Sequence, residues 1–343
     1  MTGIARRKIN AVRERGRALR LHPTLSLSES ITLFLSALLL WFVFRDPTAS
    51  GEAAQSGLQL SAGSVIPALF PFLVLSSLLT ESGLGERLGS HLSRVTSVLF
   101  GISGSGAAAL LLGAFCGFPV GARIVSDLYG RGALSRSESE RLLILSNGPS
   151  FAFLFAVVGG GFFKDRTFGL TLYFASVAAT LLFGIVLRLF CGVCEHSAPP
   201  TAACAGTSPS SLFVSSIVRA GETAVTVSAF VVFFSVLSSA LDALLTALGA
   251  PPAVPLFLSG LLELSRGMKN AAETLNGLCG RVLCGFFAGW GGLCAHLQVI
   301  ATAERPLPDR ARRKALSFRS YFFCKFLTGL LSALIVWLSS MLS

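Results

Sequence analysis

Glu263 is the residue with the most to explain. It is an ionisable group that joins the short apolar run Val254–Leu262 to Leu264-Ser265-Arg266-Gly267. Ionisable residues inside membrane segments are costly and point by default to function. Asn147 is the second, in the sequence Ser146-Asn147-Gly148-Pro149. Its amide offers one acceptor oxygen and two N–H donors at a helix break, the chemistry that reads a polar solute. A bland reading stands beside each: Glu263 at an interface pairing with Arg266 or Lys269, and Asn147 forming a local Asx turn. Gln298 and His296, in the last interrupted apolar run, are placed to line the same cavity, with Ser265 and Ser146 as hydroxyl donors beside them.

These groups need helices that stop inside apolar surroundings. The first stop is Gly117-Phe118-Pro119-Val120-Gly121, the second Asn147-Gly148-Pro149, and a third lies in Gly289-Trp290-Gly291-Gly292. Proline removes a backbone donor and clashes with the preceding turn, while glycine costs about 1 kcal/mol relative to alanine inside a helix. Such breaks expose backbone polar groups that lipid cannot satisfy, so they are tolerated only where protein or a wet cavity takes them up. The candidate solute-binding residues are therefore Gly117, Pro119 and Gly121 at the first break and Asn147, Gly148 and Pro149 at the second. Glu263, Ser265 and Gly267, then Gly291, Gly292 and Gln298, complete the set.

Composition sets the class. The 343 residues are 52% hydrophobic and 13% charged, with a mean hydropathy of +0.71. Soluble domains carry about 25% charged residues, so the expectation is an all-α polytopic membrane bundle whose principal partner is the lipid bilayer. Much of the net charge of +11 lies in two clusters, Arg6–Arg20 and Arg305–Arg319, each preceding an apolar run. That distribution follows the positive-inside rule and places both segments in the cytoplasm. Nucleic acid is not an expected partner, because no aromatic residues are interleaved with the basic arm.

The chain reads as a basic arm (1–24), a first membrane half (25–195), a Pro/Ala/Ser/Thr-rich linker (196–211) and a second membrane half (212–343). Leu25–Phe44 is expected to span, Arg45–Ala62 to be a polar loop and Glu81–Ser97 a short polar connection. Val98–Phe118 reads as one apolar run, whose small residues suit close helix approach within the chain or with a second copy. Ser135-Arg136-Ser137-Glu138 has the spacing of a capping box, so a helix should begin near Arg136. Ser211–Thr223 reads as an amphipathic lead-in to a span over Ala224–Leu248. Cys191-Gly192-Val193-Cys194, with His196 and Cys204, lacks a complete second ligand pair, and no metal or other cofactor is expected. No Walker loop or HExxH is present, and no catalytic residue is assigned.

The halves also read against each other. Gly121 pairs with Gly267 and Arg123 with Lys269, and the Asn147–Pro149 break falls near Gly289–Gly292. Paired, interrupted segments in two halves mark the binding site of many secondary transporters.

GAFCGFPVGARIVSDLY, RLLILSNGPSF, GLLELSRG and GGLCAHLQV together resemble sporulation integral membrane proteins of the YlbJ kind, in the nucleoside-recognition, or Gate, superfamily. Concentrative nucleoside transporters and the membrane part of a ferrous-iron transporter are in the same superfamily. The resemblance runs over about residues 60 to 325 and rests on Gly117, Pro119, Gly121, Asn147, Pro149, Glu263, Gly267, Gly292 and Gln298. Phe118 stands where that pattern has tyrosine, Gly148 where it has a second asparagine, and Ser265 where it has threonine. What the resemblance implies is a Gate-type domain connected with spore envelope or cortex formation. Two functions are carried forward: transport of a small polar solute or ion, and a scaffold whose basic segments organise partners in a sporulation membrane.

Overall fold

The computed structural model describes residues 27–192, 208–275, 277–304 and 318–342. Their regular structure is all helical, with no strand among them. The basic arm, most of the second basic segment, and Cys194, His196 and Cys204 lie outside the described residues. Backbone packing divides the chain after Pro47 into two units. The first holds helix α1 (Leu27–Arg45), 19 apolar-rich residues and about 28 Å long, close to the thickness of a bilayer's hydrocarbon core. All that follows concerns the second unit, Thr48–Ser343.

The expected polar loop after Arg45 is instead helix α2 (Pro47–Leu60). It runs through a π-helical turn (Ser61–Val65) into α3 (Ile66–Glu81), giving one span over Pro47–Leu79. Small polar residues are helix-compatible when another helix takes their face: buried Ser50, Ala53 and Gly57 give α2 its inward stripe. Gly57 packs where a Cβ would meet Ser235 and Val232.

The expected connection after Glu81 is likewise a helix, α4 (Leu84–Phe100), followed by α5 (Gly104–Cys116). The run Val98–Phe118 is thus two helices, bent 88° at Gly101–Ser103. Polar side chains of α7 (Arg136–Leu145) close that bend. Arg141 Nη1 donates to Phe100 O at 2.6 Å, and Glu138 accepts from Ser103 N at 2.5 Å. Glu138 is therefore only half of a capping box: Ser135 Oγ accepts from Glu138 N, but the carboxylate serves another helix.

From α5 onward a pattern appears twice. Helices α5, α6 (Val120–Gly130), α7 and the π-helix Phe153–Phe162 are followed by the long α8 (Arg166–Cys191). After the 39-residue α9 (Pro209–Ala247), which absorbs the expected lead-in, come α10 (Ala253–Leu262), α11 (Leu264–Thr274), α12 (Leu278–Trp290) and α13 (Gly292–Glu304). The long α14 (Phe318–Leu342) closes the chain. Each set is a broken helix, a turn, a second broken helix and an unbroken one. Long apolar helices cover Pro47–Leu79, Arg166–Cys191, Pro209–Ala247, Leu278–Ala303 and Ser320–Leu342, so the protein is multi-pass.

Two apolar cores flank the broken helices. One gathers Leu73, Ile102, Val125, Leu142 and Val231; the other Leu154, Leu172, Met268, Phe287 and Val336. Without a hydrophobic driving force between helices in lipid, close approach depends on small residues. At Gly289 a Cβ would lie 2.5 Å from Thr328 O and 2.7 Å from the Gly329 Cα, so α12 and α14 touch backbone to backbone.

Gly289→Ala should lower stability by about 1 to 3 kcal/mol through overpacking. Gly221→Ala, in the interior of α9 with nothing within 4 Å of the added carbon, should raise it by about 0.5 to 1 kcal/mol. Thermal midpoints of the two variants in the same detergent check both signs.

Candidate functional site

The first two breaks interlock through backbone. Gly117 has φ +74°, and a side chain there would strike Ser150 N and Gly148 O. Phe118 N, freed by the stop of α5, donates to Gly148 O at 2.9 Å. The Phe118–Pro119 peptide is cis. Gly113 and Gly121, one on each side of the break, both close on Ser146 O, which leaves no room for a Cβ at either.

Asn147 holds this junction together. Its Oδ1 accepts from Ala122 N at 2.8 Å, and its Nδ2 donates to Leu143 O at 2.9 Å and Ser146 Oγ at 3.3 Å. One amide thus satisfies an orphan donor at the start of α6 and an orphan carbonyl at the end of α7. The side chain is 1% exposed and spends its hydrogen bonds on these helix ends. Ser146 Oγ is also occupied, donating to Leu142 O. Gly148 has open space where a Cβ would be and contributes its carbonyl.

The second pair interlocks similarly. Glu263 is extended (φ −137°, ψ 117°) between α10 and α11, and its N–H donates to Ser259 O. Its Oε1 accepts from Ser265 N at 3.0 Å and its Oε2 from Arg266 N at 2.6 Å. An acidic side chain over the first turn of a helix is favoured by the helix dipole. The Arg266 guanidinium turns away to α9, donating to Asp242 Oδ2 at 3.1 Å, Ser239 Oγ and Ser235 O. Glu263 therefore meets the Arg266 backbone, and the alternative of an ion pair with the Arg266 guanidinium is not what the structure shows. Gly291 and Gly292 have φ +93° and +82°, the left-handed turn that ends α12 and starts α13. A Cβ on Gly292 would sit 3.0 Å from Leu264 N, so this turn abuts the Glu263 break. Trp290 Nε1 donates to Leu261 O, taking up a carbonyl at the end of α10. Gly267 lies inside α11, not at the break, and packs on Gly260 with no space for a side chain at either.

Between the two pairs is a cavity lined by Phe118, Pro149, Ser150, Glu263, Ser265 and Gln298, with Gly291 and Cys294 completing its wall. Its volume is about 40 Å³, room for about three waters or one small ion. Gln298 is 3% exposed; among the described residues its Nε2 donates only to Cys294 Sγ, a weak acceptor, and its Oε1 has no partner. A buried amide oxygen left without a donor costs about 1 to 3 kcal/mol.

Gln298 and Val227 also border a larger cavity of about 250 Å³. Its walls carry Arg123 and Asp127 from α6, Arg219 and Glu222 from α9, and Pro119. Arg123 Nη1 donates to Arg219 O and Thr223 Oγ1, fixing α6 to α9. Burial lowers the Arg123 pKa and raises that of Asp127; the Arg123–Asp127 attraction opposes both shifts.

Of the residues singled out in the sequence, Pro149, Glu263, Ser265, Gly291 and Gln298 line the inner cavity and Pro119 the outer one. Gly117, Gly121, Asn147, Gly148, Gly267 and Gly292 build the walls from behind. His296 is buried against Trp290, Tyr321 and Phe322, with Nδ1 on the Tyr321 hydroxyl. Sequence reasoning passed over Ser150, Cys294 and the charged wall of the outer cavity. A usable signal was present in the spacing of Arg123 with Asp127 and Arg219 with Glu222, one turn apart on otherwise apolar-facing helices.

Asn147→Ala should cost about 1 to 3 kcal/mol, because it strands Ala122 N in a buried position. Asn147→Asp, which keeps the acceptor for Ala122 N and loses the donor, should unfold between the parent and the alanine variant. Chemical denaturation of the purified protein ranks the three.

The nucleoside-recognition (Gate) family model matches residues 62–187, the segment from the π-helical turn through most of α8. Over 350 aligned residues the chain is 26% identical to the sporulation integral membrane protein YlbJ of Bacillus subtilis (strain 168), covering 92% of this chain and 84% of that one. No solved structure matches. The matched segment holds the first pair of breaks and the Asn147 junction, while Glu263 and the Gly291 turn lie beyond it. Residues 62–187 thus resemble the nucleoside-recognition (Gate) family, within a multi-pass membrane protein that is similar to a sporulation membrane protein along most of its length.

Proposed function

We propose that this protein is a permeation module for a small polar solute or ion in a membrane of the sporulating cell, with its N-terminal arm in the cytoplasm. The observation that carries the reading is the inner cavity at the meeting of two pairs of helix breaks. It is lined by both Glu263 and Gln298, and the Gln298 Oε1 has no partner among the described residues.

A structural role accounts for Asn147 and the packing glycines, but it leaves Gln298 without a partner. A solute carrying hydrogen-bond donors supplies one. The Glu263 oxygens each accept one backbone N–H and keep lone pairs for a second donor, and the Ser150 and Ser265 hydroxyls adapt to either polarity. The sequence match to a Gate segment and to a sporulation membrane protein agrees with this reading. The narrowness of the inner space means that a solute larger than a few waters first occupies the outer cavity, with Gln298 and Val227 between the two.

Purified full-length protein should show solute-dependent thermal stabilisation with at least one member of a panel of nucleosides, metal ions, amino acids and dipicolinate. A gain of about 2 to 3 kcal/mol is expected at a hundredfold excess over Kd. Gln298→Leu and Glu263→Gln should abolish that gain. No stabilisation across the panel by folded parent protein, or a gain unchanged in both variants, would sink the proposal.

A further inference from the structure

A third cavity, of about 210 Å³, lies where α4, α5 and α8 meet. Leu92 and Thr96 of α4, Leu110 and Phe115 of α5, and Val177 and Leu181 of α8 line it, and it reaches inward to Gly148 and Pro149. Leu92 and Phe115 are exposed, so it opens on the apolar outer surface of the bundle. The hydroxyls on its wall are already spent. Thr96 Oγ1 donates to Leu92 O, Ser176 Oγ to Tyr173 O and Thr180 Oγ1 to Ser176 O. Gly148 O accepts from Phe118 N. The wall has nothing left to read a polar solute, and an apolar space open to a bilayer takes hydrocarbon.

The helices that build this cavity bring two arginines together at one end of it. On α8 Val177, Leu181, Gly184 and Arg188 fall on one stripe, at i, i+4, i+7 and i+11. On α7 Arg141 is one turn before Leu145, which also lines the cavity. A Cβ on Gly184 would lie 2.9 Å from both Leu145 and Phe100, so α4, α7 and α8 touch between the cavity and the arginines. Beyond that contact, a Cβ on Gly101 would lie 2.8 Å from Arg141 Nη1 and from Arg188 Cδ, and 3.2 Å from Arg188 Nε. The two guanidiniums are therefore neighbours.

Their charges are not compensated. Arg141 is 7% exposed, and its Nη1 donates to the Phe100 and Gly192 carbonyls. Arg188 Nε is buried with no partner. Neither arginine has a carboxylate within 4.0 Å among the described residues. Glu138, one turn before Arg141, is engaged with Ser103 N. The last turn of α8 favours one cation through the helix dipole, and a water would give Nε an acceptor. Neither balances two like charges set side by side at the end of a span.

We infer that this seam binds an anionic phospholipid, with its phosphate between Arg141 and Arg188 and one acyl chain in the cavity. Guanidinium forks match phosphate oxygens, and basic pockets between membrane helices take lipid head groups. Arg188 is in the last turn of the span, at head-group level. Leu181 and Val177 lie about 10 and 17 Å further along α8, the depth of one leaflet's hydrocarbon, about 15 Å. Exposed Val95 and Leu99 on α4 continue the apolar surface between the cavity and the bend. The site is separate from the basic segments Arg6–Arg20 and Arg305–Arg319. Pro149 lines both this cavity and the inner one, so the chain ends on the back of the second helix break.

Native mass spectrometry of the full-length protein, released from detergent with added phosphatidylglycerol or phosphatidylcholine, tests the site. The parent should hold one phosphatidylglycerol in clear preference to phosphatidylcholine. Arg188→Gln should weaken phosphatidylglycerol binding about tenfold and erase the preference, with Arg188→Lys, which keeps the charge and loses the fork, in between. Val177→Phe, which fills the cavity, should also weaken it. Arg166→Gln, which removes an exposed arginine from the other end of α8, should bind as the parent does. Equal binding of the two lipids by the parent, undiminished binding in Arg188→Gln, or equal weakening in Arg166→Gln overturns the assignment. Displacement of the lipid by inorganic phosphate or glycerol 3-phosphate at equal concentration would make the arginines a site for free phosphate, and overturns it too. Phosphatidylglycerol should likewise raise the thermal midpoint of the parent and not that of Arg188→Gln; the same rise in both counts against the site. No solute enters these measurements, so they fail or succeed apart from the permeation reading.

Discussion

A backbone N–H or carbonyl with no water and no partner is the constraint around which this structure is arranged. Lipid satisfies neither, so a helix that stops within an apolar layer must hand its orphan groups to another part of the chain. Each interruption here is met in that way. Arg141 and Glu138 close the 88° bend after α4, Asn147 bridges α6 and α7, and Glu263 caps α11 with its own side chain. Trp290 takes up a carbonyl of α10. The polar residues in these apolar stretches are first of all the partners of broken helices, and function is built on what they leave over.

What they leave over is small and specific. Asn147 is fully committed, while Glu263 caps a helix and still faces the cavity. Gln298 carries an oxygen that no described residue serves. The difference comes from position. Asn147 lies behind the junction of the first two breaks, whereas Glu263 is itself the break and Gln298 is one and a half turns into the helix that follows the last one. Interlocking also explains the glycines: Gly113, Gly117, Gly121 and Gly292 let backbone meet backbone, so the break pairs form one wall instead of two loose ends.

The two sets of broken helices share an order but not their chemistry. In the first set an asparagine from the later break reaches back to the earlier helix; in the second a glutamate caps locally and a tryptophan makes the cross-tie. Offsetting the halves by the spacing of Gly121 and Gly267 brings Ser146 onto Gly292, so break aligns with break although the residues that seal them differ.

The class of fold and the breaks at Gly117–Gly121, Asn147–Pro149 and Gly289–Gly292 were legible from residue types, whereas the bend at Gly101–Ser103 was not. Long apolar runs, few charges and Gly/Pro clusters have direct physical consequences for a chain in lipid, and they act locally. The helices α2 and α4 were misread as loops because their inward faces carry Ser, Gly and Thr, which read as polar until a neighbouring helix covers them. The roles within the site were beyond local reasoning. Whether Asn147 meets a solute or Ala122 N, and whether Arg266 neutralises Glu263 or leaves for Asp242, depends on which helix end lies opposite. Residue chemistry by itself determined that something wet or polar must meet the broken helices; only the packing of helix ends against one another within each half decided which side chains are spent on backbone and which remain for a ligand.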